Sequence, residues 1–309
     1  MTSFRNLIAL FIVLNVVTVQ DVLATRLGPR HGGRSLLAHG NLLIEYIGAS
    51  GDTSVQFTDV PLVGGVNYIF PLSFAIDVDA AGNPTNGVFS PYWTTTSLTP
   101  TAAQAFASAN ANVKISISLG GATHYVSPTL TQNVNWAEPA DQNSWIQNAV
   151  TSITSLASQY SITAIDIDYE NFPSGSTTFT NCIGQLITQL KNAGTITTAS
   201  IAPFEQTRDV YTALFQQYGS VIDYVNWQFY ANDFQTQTDY VNSFNDVATT
   251  FGADKLLASV EPGKTISGQE FIGAVQQISQ LAGIMIFEAD ADKTNGFQET
   301  NNANAFLTS

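Results

Sequence analysis

The chain has 309 residues, of which 44% are hydrophobic and only 11% charged. That is enough apolar length to bury a large core, and it excludes a disordered chain, a coiled coil or a disulfide mini-scaffold. Ten basic against 24 acidic residues give a net charge of −14; a nucleic-acid backbone or an anionic membrane surface needs a clustered basic face that this chain cannot supply, so neither is expected as a partner.

From the N-terminus, residues 1–24 read as a secretory signal peptide. Arg5 precedes the apolar run 7–19, and Val22-Leu23-Ala24 ends it on a small residue. A membrane anchor is the alternative, but Asn15, Thr18, Gln20 and Asp21 leave the run too short to span. Residues 25–39 are Gly- and Arg-rich without a period and read as a linker or short propeptide. Four of the arginines precede residue 40, where Asp21 is the only acid, so residues 40–309 carry a charge of −17 and suit a neutral ligand.

From residue 40 onward, short apolar runs alternate with helical patterns. Strands are predicted at 42–48, 67–76, 113–119, 164–170, 197–202, 224–230, 256–260 and 283–287. Their nearly continuous apolar character is that of strands buried on both faces. Helices are predicted at 100–110, 143–159, 178–191, 210–218, 239–251 and 267–281. Strand alternating with helix implies a parallel sheet, and eight such units in one stretch imply a single α/β domain, a closed (β/α)8 TIM barrel over 40–309. An open doubly wound sheet competes, but no Gly-rich phosphate-binding motif follows the first strand. Residues 77–99 form a long loop containing Trp93, a candidate wall for a cleft.

Cys182 is the only cysteine, so no intramolecular disulfide forms, and its place in an apolar helical pattern makes it a buried, inert thiol. With His124 the one histidine beyond residue 40, His/Cys zinc sites and most nucleophile–His triads are excluded; no metal or cofactor is expected. Asn83-Pro84-Thr85 is the only glycosylation-like triplet, and proline blocks it.

The informative run is Ala164-Ile165-Asp166-Ile167-Asp168-Tyr169-Glu170. Alternation on a strand puts Asp166, Asp168 and Glu170 on one face and Ile165, Ile167 and Tyr169 on the other. In a barrel the carboxylate face points inward, with Glu170 at the C-terminal mouth where such enzymes work. Three carboxylates in register cannot all ionise cheaply. At least one proton is shared and some pKa is raised, which is the condition for a general acid. A solvated polar face on an antiparallel strand would show the same alternation, but the other strands look buried on both sides.

With the segments Ile44-Glu45-Tyr46-Ile47-Gly48, Ser118-Leu119-Gly120-Gly121, Cys182-Ile183-Gly184-Gln185-Leu186, Ser200-Ile201-Ala202-Pro203-Phe204 and Tyr224-Val225-Asn226-Trp227-Gln228-Phe229-Tyr230, the carboxylate run resembles family 18 glycoside hydrolases. The likeness covers roughly 42–292 and is strongest to the bulb-type and narbonin-like plant chitinases. The family pattern D-x-x-D-x-D-x-E falls on residues 163–170. The resemblance implies retaining, substrate-assisted, endo-acting hydrolysis of β-1,4-linked N-acetylglucosamine in chitin or chitooligosaccharides. The signal peptide implies secretion, to the apoplast or vacuole, and a monomer is the default expectation. The resemblance also implies Glu170 as the acid, Asp168 orienting the substrate acetamido group, Asp166 sharing a proton with Asp168, and Tyr230 donating to the acetamido carbonyl. Gln228, on the same strand face, would contact the sugar.

Tyr46 and Phe74, at the ends of the first two strands, are candidates to line the sugar groove or equally to sit in the core, and Trp93 is a candidate platform for a distal sugar or a loop anchor. The glycines of Ser118-Leu119-Gly120-Gly121 are expected to serve backbone geometry. Two departures stand out: Thr163 replaces the first motif Asp, which is expected to tune the carboxylate stack, and Phe287 replaces the last-strand Trp that floors the site, which implies weaker sugar stacking. These departures support the alternative of a weak or inactive chitinase-like protein with a glycan-binding, storage or inhibitor role.

Overall fold

The structure, a computed structural model, describes residues 38–50, 55–127 and 130–309. The predicted signal peptide and nearly all of the predicted linker lie outside the described residues. Eight parallel strands form the barrel: β1 (Ala38–Glu45), β2 (Asn67–Ile76), β3 (Val113–Gly121), β4 (Ile162–Tyr169), β5 (Thr198–Ile201), β6 (Tyr224–Val225), β7 (Leu257–Val260) and β8 (Gln280–Ile286). They pair in the order β7-β8-β1-β2-β3-β4-β5-β6, and a parallel bridge between Val225 and Leu256 brings the two edges together. Helices alternate with the strands on the outside, which is the (β/α)8 arrangement.

The helices begin and end where local chemistry allows. Thr99 caps Pro100–Ala109 by accepting from the Ala102 amide, Asp141 caps Gln142–Tyr160, and Thr236 caps Gln237–Phe251. The helix predicted at 267–281 is shorter: it runs Gly268–Val275, and residues 280 and 281 already belong to β8. Continuous apolar character could not separate the end of that helix from the start of a buried strand. The strand predicted at 224–230 stops at Val225, and Phe229–Ala231 is a 3-10 turn.

Two further helices, Ala289–Thr294 and Gln298–Leu307, close the chain. Their polar sequence gives no apolar period, because Thr300 and Asn304 are buried through hydrogen bonds. Thr300 Oγ1 bonds Glu45 and Asp292, and Asn304 Oδ1 accepts from the Tyr68 hydroxyl at 2.7 Å. A hairpin of Thr123–Ser127 and Leu130–Asn133 stands at the C-terminal end of β3.

The outer face of β4 packs as the alternation implies: Ile165, Ile167 and Tyr169 are fully buried. The Tyr169 hydroxyl donates to Asp77 at 2.5 Å, and Trp145 Nε1 donates to the other oxygen of that carboxylate at 3.2 Å. Edge-on contacts of Trp136 with Tyr169 and Phe179 at 5.3 and 5.1 Å stiffen the same layer. Cys182 is fully buried, and burial pushes its thiol up to about 12, which leaves it inert.

Gly184 marks the closest helix packing. A Cβ there would lie 2.2–2.4 Å from the Tyr218 ring, including its root atom Cγ. Ala gains about 1 kcal/mol of helix propensity over Gly, but overpacking a tight contact costs about 1–3 kcal/mol. Gly184→Ala is expected to lower the melting temperature, and a rise would mean that the two helices separate freely.

Candidate active site

The site is built outward from Asp166. Strand register makes Ser118 on β3 and Ser200 on β5 the direct lateral neighbours of Asp166 on β4. Both hydroxyls donate to it, Ser118 Oγ to Oδ2 at 2.7 Å and Ser200 Oγ to Oδ1 at 2.6 Å. The Tyr46 hydroxyl adds a bond to Oδ2 at 2.8 Å and Asn226 Nδ2 one to Oδ1 at 3.0 Å. Burial pushes this carboxyl above its ordinary range while the four donors pull it back. The four donors favour the ionised form of Asp166 against the burial that opposes it.

One layer toward the mouth, Asp168 is 2% exposed. Burial, then the charges of Glu170 and Asp166, hold its carboxyl well above the usual range. Glu170 follows the last residue of β4 and is half-buried, and burial raises its carboxyl too. Gln228 joins the two: its Nε2 lies 3.0 Å from Asp168 Oδ1, 3.3 Å from Glu170 Oε1 and 3.0 Å from the Ala202 carbonyl. Two amide hydrogens serve three acceptors, so Gln228 leaves the carboxyl pair short of donors, which favours keeping a proton on it.

Tyr230 stands over this pair. Its ring stacks on Phe287 at 5.6 Å with the planes 16° apart. Burial and the charges of Asp168 and Glu170 push its phenol well upward, so the hydroxyl stays a donor. Among the described residues no protein group accepts from it. Gly120 is the lateral neighbour of Asp168 and adopts φ +101°, with the Tyr169 backbone 3.1 Å from where its Cβ would be. Gly121, at φ +79°, leaves room for the Phe74 ring 2.8–3.0 Å from its missing Cβ. Both positions require the absence of a side chain.

Several expected placements change. Tyr46 is 1% exposed and belongs to the Asp166 network beneath the groove. Phe74 is 9% exposed with its ring on Gly121, so it walls the end of β3 and offers no open stacking face. Trp93 is 3% exposed and edge-on to Tyr160 at 5.2 Å; it anchors the loop and no distal sugar can stack on it.

Phe287 has one face occupied by Tyr230 and meets Tyr46 edge-on at 5.7 Å. Gln228 and Tyr230 reach the site from a loop and a 3-10 turn and share no strand face. Asp168 is not a hydrogen-bond partner of Asp166, whose acceptor directions are already taken by Tyr46, Ser118, Ser200 and Asn226. Thr163 is exposed at a β3–β4 register shift, off the carboxylate face, so its departure from the motif leaves the stack untouched.

Residues 44–273 match the family described as glycosyl hydrolases family 18. The chain belongs to that family. It is 44% identical to the catalytic domain of a family 18 chitinase from the fern Peteris ryukyuensis, with a TM-score of 0.81, covering 87% of this chain and 100% of that one. A family 18 chitinase from Crocus vernus is 35% identical at the same TM-score and the same coverage. Chitinase 1 of Tulipa saxatilis subsp. bakeri is 37% identical over 278 residues, 86% of each chain. As a family 18 member this barrel is a glycoside hydrolase.

The Ser118, Ser200 and Asn226 donors were not anticipated as site residues. Their signal was present, since two serines flank Asp166 once the strands are aligned and Asn226 lies two residues before Gln228.

Asp168 is a carboxyl whose folded pKa is raised, so its contribution is favourable at low pH and is lost as pH rises above the ordinary carboxylate range. Asp168→Asn removes that loss. The variant is expected to match the parent's melting temperature near pH 4 and to exceed it at pH 7. A variant less stable than the parent at pH 7 would mean that Asp168 is ionised at little cost in the fold.

Proposed function

We propose that the chain is a chitinase that cleaves β-1,4-linked N-acetylglucosamine with retention of configuration, with Glu170 as the acid and the substrate's own acetamido oxygen as the nucleophile. The observation that carries this reading is the ladder Asp166–Asp168–Glu170, three carboxyls all raised by burial, the innermost held by four donors and the outermost at the open end of the barrel.

In this reading Glu170 gives its proton to the glycosidic oxygen, the acetamido oxygen closes on the anomeric carbon, and the sugar leaving group departs as an alcohol. The ring formed is an oxazolinium cation. Asp168, ionised because the pair's one proton is on Glu170, orients the acetamido N–H and stabilises the cation, with Asp166 and its four donors behind. The uncommitted Tyr230 hydroxyl binds the acetamido carbonyl, and Gln228 holds Asp168 and Glu170 in relation to each other. Water then opens the ring, with Glu170 taking its proton. Chitin and chitooligosaccharides are the substrate class, in keeping with the relatives' names and with the acidic surface, to which a neutral polymer is indifferent.

We also propose that the N-terminal segment directs the protein into the secretory route, to the apoplast or vacuole, where the mature chain acts as a monomer in endo mode. The occupied face of Phe287 favours weak binding of the sugar and supports a second reading, a glycan-binding protein with little turnover.

Hydrolysis of a soluble chitooligosaccharide by the mature chain, beside Glu170→Gln and Tyr230→Phe, separates the two. General-acid catalysis contributes about 10²–10⁴-fold, so Glu170→Gln is expected to lose at least about 100-fold in kcat with the sugar still bound. Tyr230→Phe is expected to lose activity as well, through the acetamido contact. No turnover in the parent at acidic or neutral pH, with the sugar bound, would overturn the enzyme reading in favour of the second.

A further inference from the structure

A second group of carboxyls sits at the same end of the barrel, outside the site described above. Glu288 and Asp290, each 5% exposed, lie just past the end of β8 and within hydrogen-bonding reach of one another. Asp290 Oδ2 accepts from the Gly48 amide at 3.1 Å, and Glu288 Oε1 accepts from the Ser50 hydroxyl. The remaining oxygens, Glu288 Oε2 and Asp290 Oδ1, are buried and meet no donor. Two adjacent buried carboxylates, each with an oxygen that meets no donor, are stable together only if one carries a proton that the other accepts.

The position of the pair gives it leverage. Phe287, stacked on Tyr230, immediately precedes Glu288. Ala289, immediately after it, donates its amide to the Tyr46 carbonyl at 2.9 Å, and Tyr46 carries one of the four bonds to Asp166.

We propose that Glu288 and Asp290 share one proton and act as a latch, clamping residues 48–50 to the end of β8 so that Tyr46 and Phe287 are held in place, and that the latch opens when this proton is lost. The two are positioning residues, since neither touches the carboxylate ladder.

The surroundings reinforce the proton. Burial and the neighbouring Asp290 push Glu288 up to about 8, with the Ser50 hydroxyl and the Ala49 amide opposing. On β1, Glu45 faces Asp290 and Asp292 and shares the Thr300 hydroxyl with Asp292; burial and the charge of Asp292 raise it as well. Glu299, on the last helix, is bound to the Gly268 amide. Of the cations on adjoining elements, Lys293 is paired with Asp59 at 2.8 Å and Lys264 with Glu261 at 3.4 Å. A raised folded pKa contributes stability at low pH that is lost as pH rises through about 8.

Amide hydrogen exchange at Gly48, corrected for intrinsic rate and measured on the chain from about pH 6 to about pH 9, tests the latch. In the parent, protection at Gly48 is expected to hold up to the midpoint and then fall about tenfold per pH unit, as for loss of a single proton. In Glu288→Gln the side-chain amide supplies the donor at every pH, and protection is expected to stay flat within twofold. Infrared difference spectra give a second readout: one protonated-carboxyl band bleaches over that range in the parent and is absent in Asp290→Asn, so the proposal stays testable if Glu288→Gln does not fold. Matching exchange profiles for parent and Glu288→Gln, or no difference in the carboxyl band between parent and Asp290→Asn, would overturn it. Neither readout depends on hydrolysis, so failure here is distinct from failure of the chitinase reading.

Discussion

A single buried carboxyl sets the conditions for the site above it. Asp166 is fully buried at the centre of the barrel and is held by the hydroxyls of Ser118 on β3, Ser200 on β5 and Tyr46 just past β1, and by the Asn226 amide. An isolated buried carboxylate would cost many kcal/mol, and breaking a buried paired charge costs about 3–5 kcal/mol. The charge is tolerated only because the inward positions beside it are small and hydroxylated, where a barrel of this type would ordinarily stack Val, Ile and Leu. Burial, then the neighbouring charges of Glu170 and Asp166, keep Asp168 in the layer above from ionising freely, and burial raises Glu170 as well. The ladder keeps a proton near the mouth chiefly because its carboxyls are buried.

That arrangement trades stability for chemistry. The raised carboxyls share one sign: each contributes stability at low pH and withdraws it as pH rises. Asp168, Glu170 and the distant Glu288, Glu45 and Glu299 all follow this rule. Burying so many acids makes the fold more stable at acidic pH than at neutral pH. The fold offsets the cost elsewhere, through the aromatic layer of Trp136, Trp145, Tyr169 and Phe179 behind β4 and the Asp77 bridge that ties it to β2.

What was legible in the sequence is what depends on local period. The alternation across 164–170 placed the three acids on one face, and the repeated apolar runs separated by amphipathic stretches implied eight strands and the barrel. Side-chain reach across the barrel was not legible. Tyr46 alternates inward as expected, yet only the closed geometry, 120 residues away in sequence, shows that its hydroxyl ends on Asp166. For Trp93 the sequence leaves a sugar platform and a loop anchor open, because nothing local reveals that Tyr160 covers it. The C-terminal helices and the Glu288–Asp290 pair were hidden for the opposite reason: their burial is polar, and periodicity of apolar residues says nothing about it. The loop and 3-10 turn that carry Gln228 and Tyr230 read as strand because Trp227 and Phe229 continue the apolar pattern past the last ladder bond.

The proposed attack by the substrate's acetamido group is tested most directly by following the first-formed anomer by proton NMR during cleavage of an N-acetylglucosamine oligomer, alongside the fully deacetylated oligomer of the same length. The expected result is β-anomer first from the acetylated chain and no cleavage of the deacetylated one. An α-anomer formed first, or comparable cleavage of both oligomers, would contradict the account.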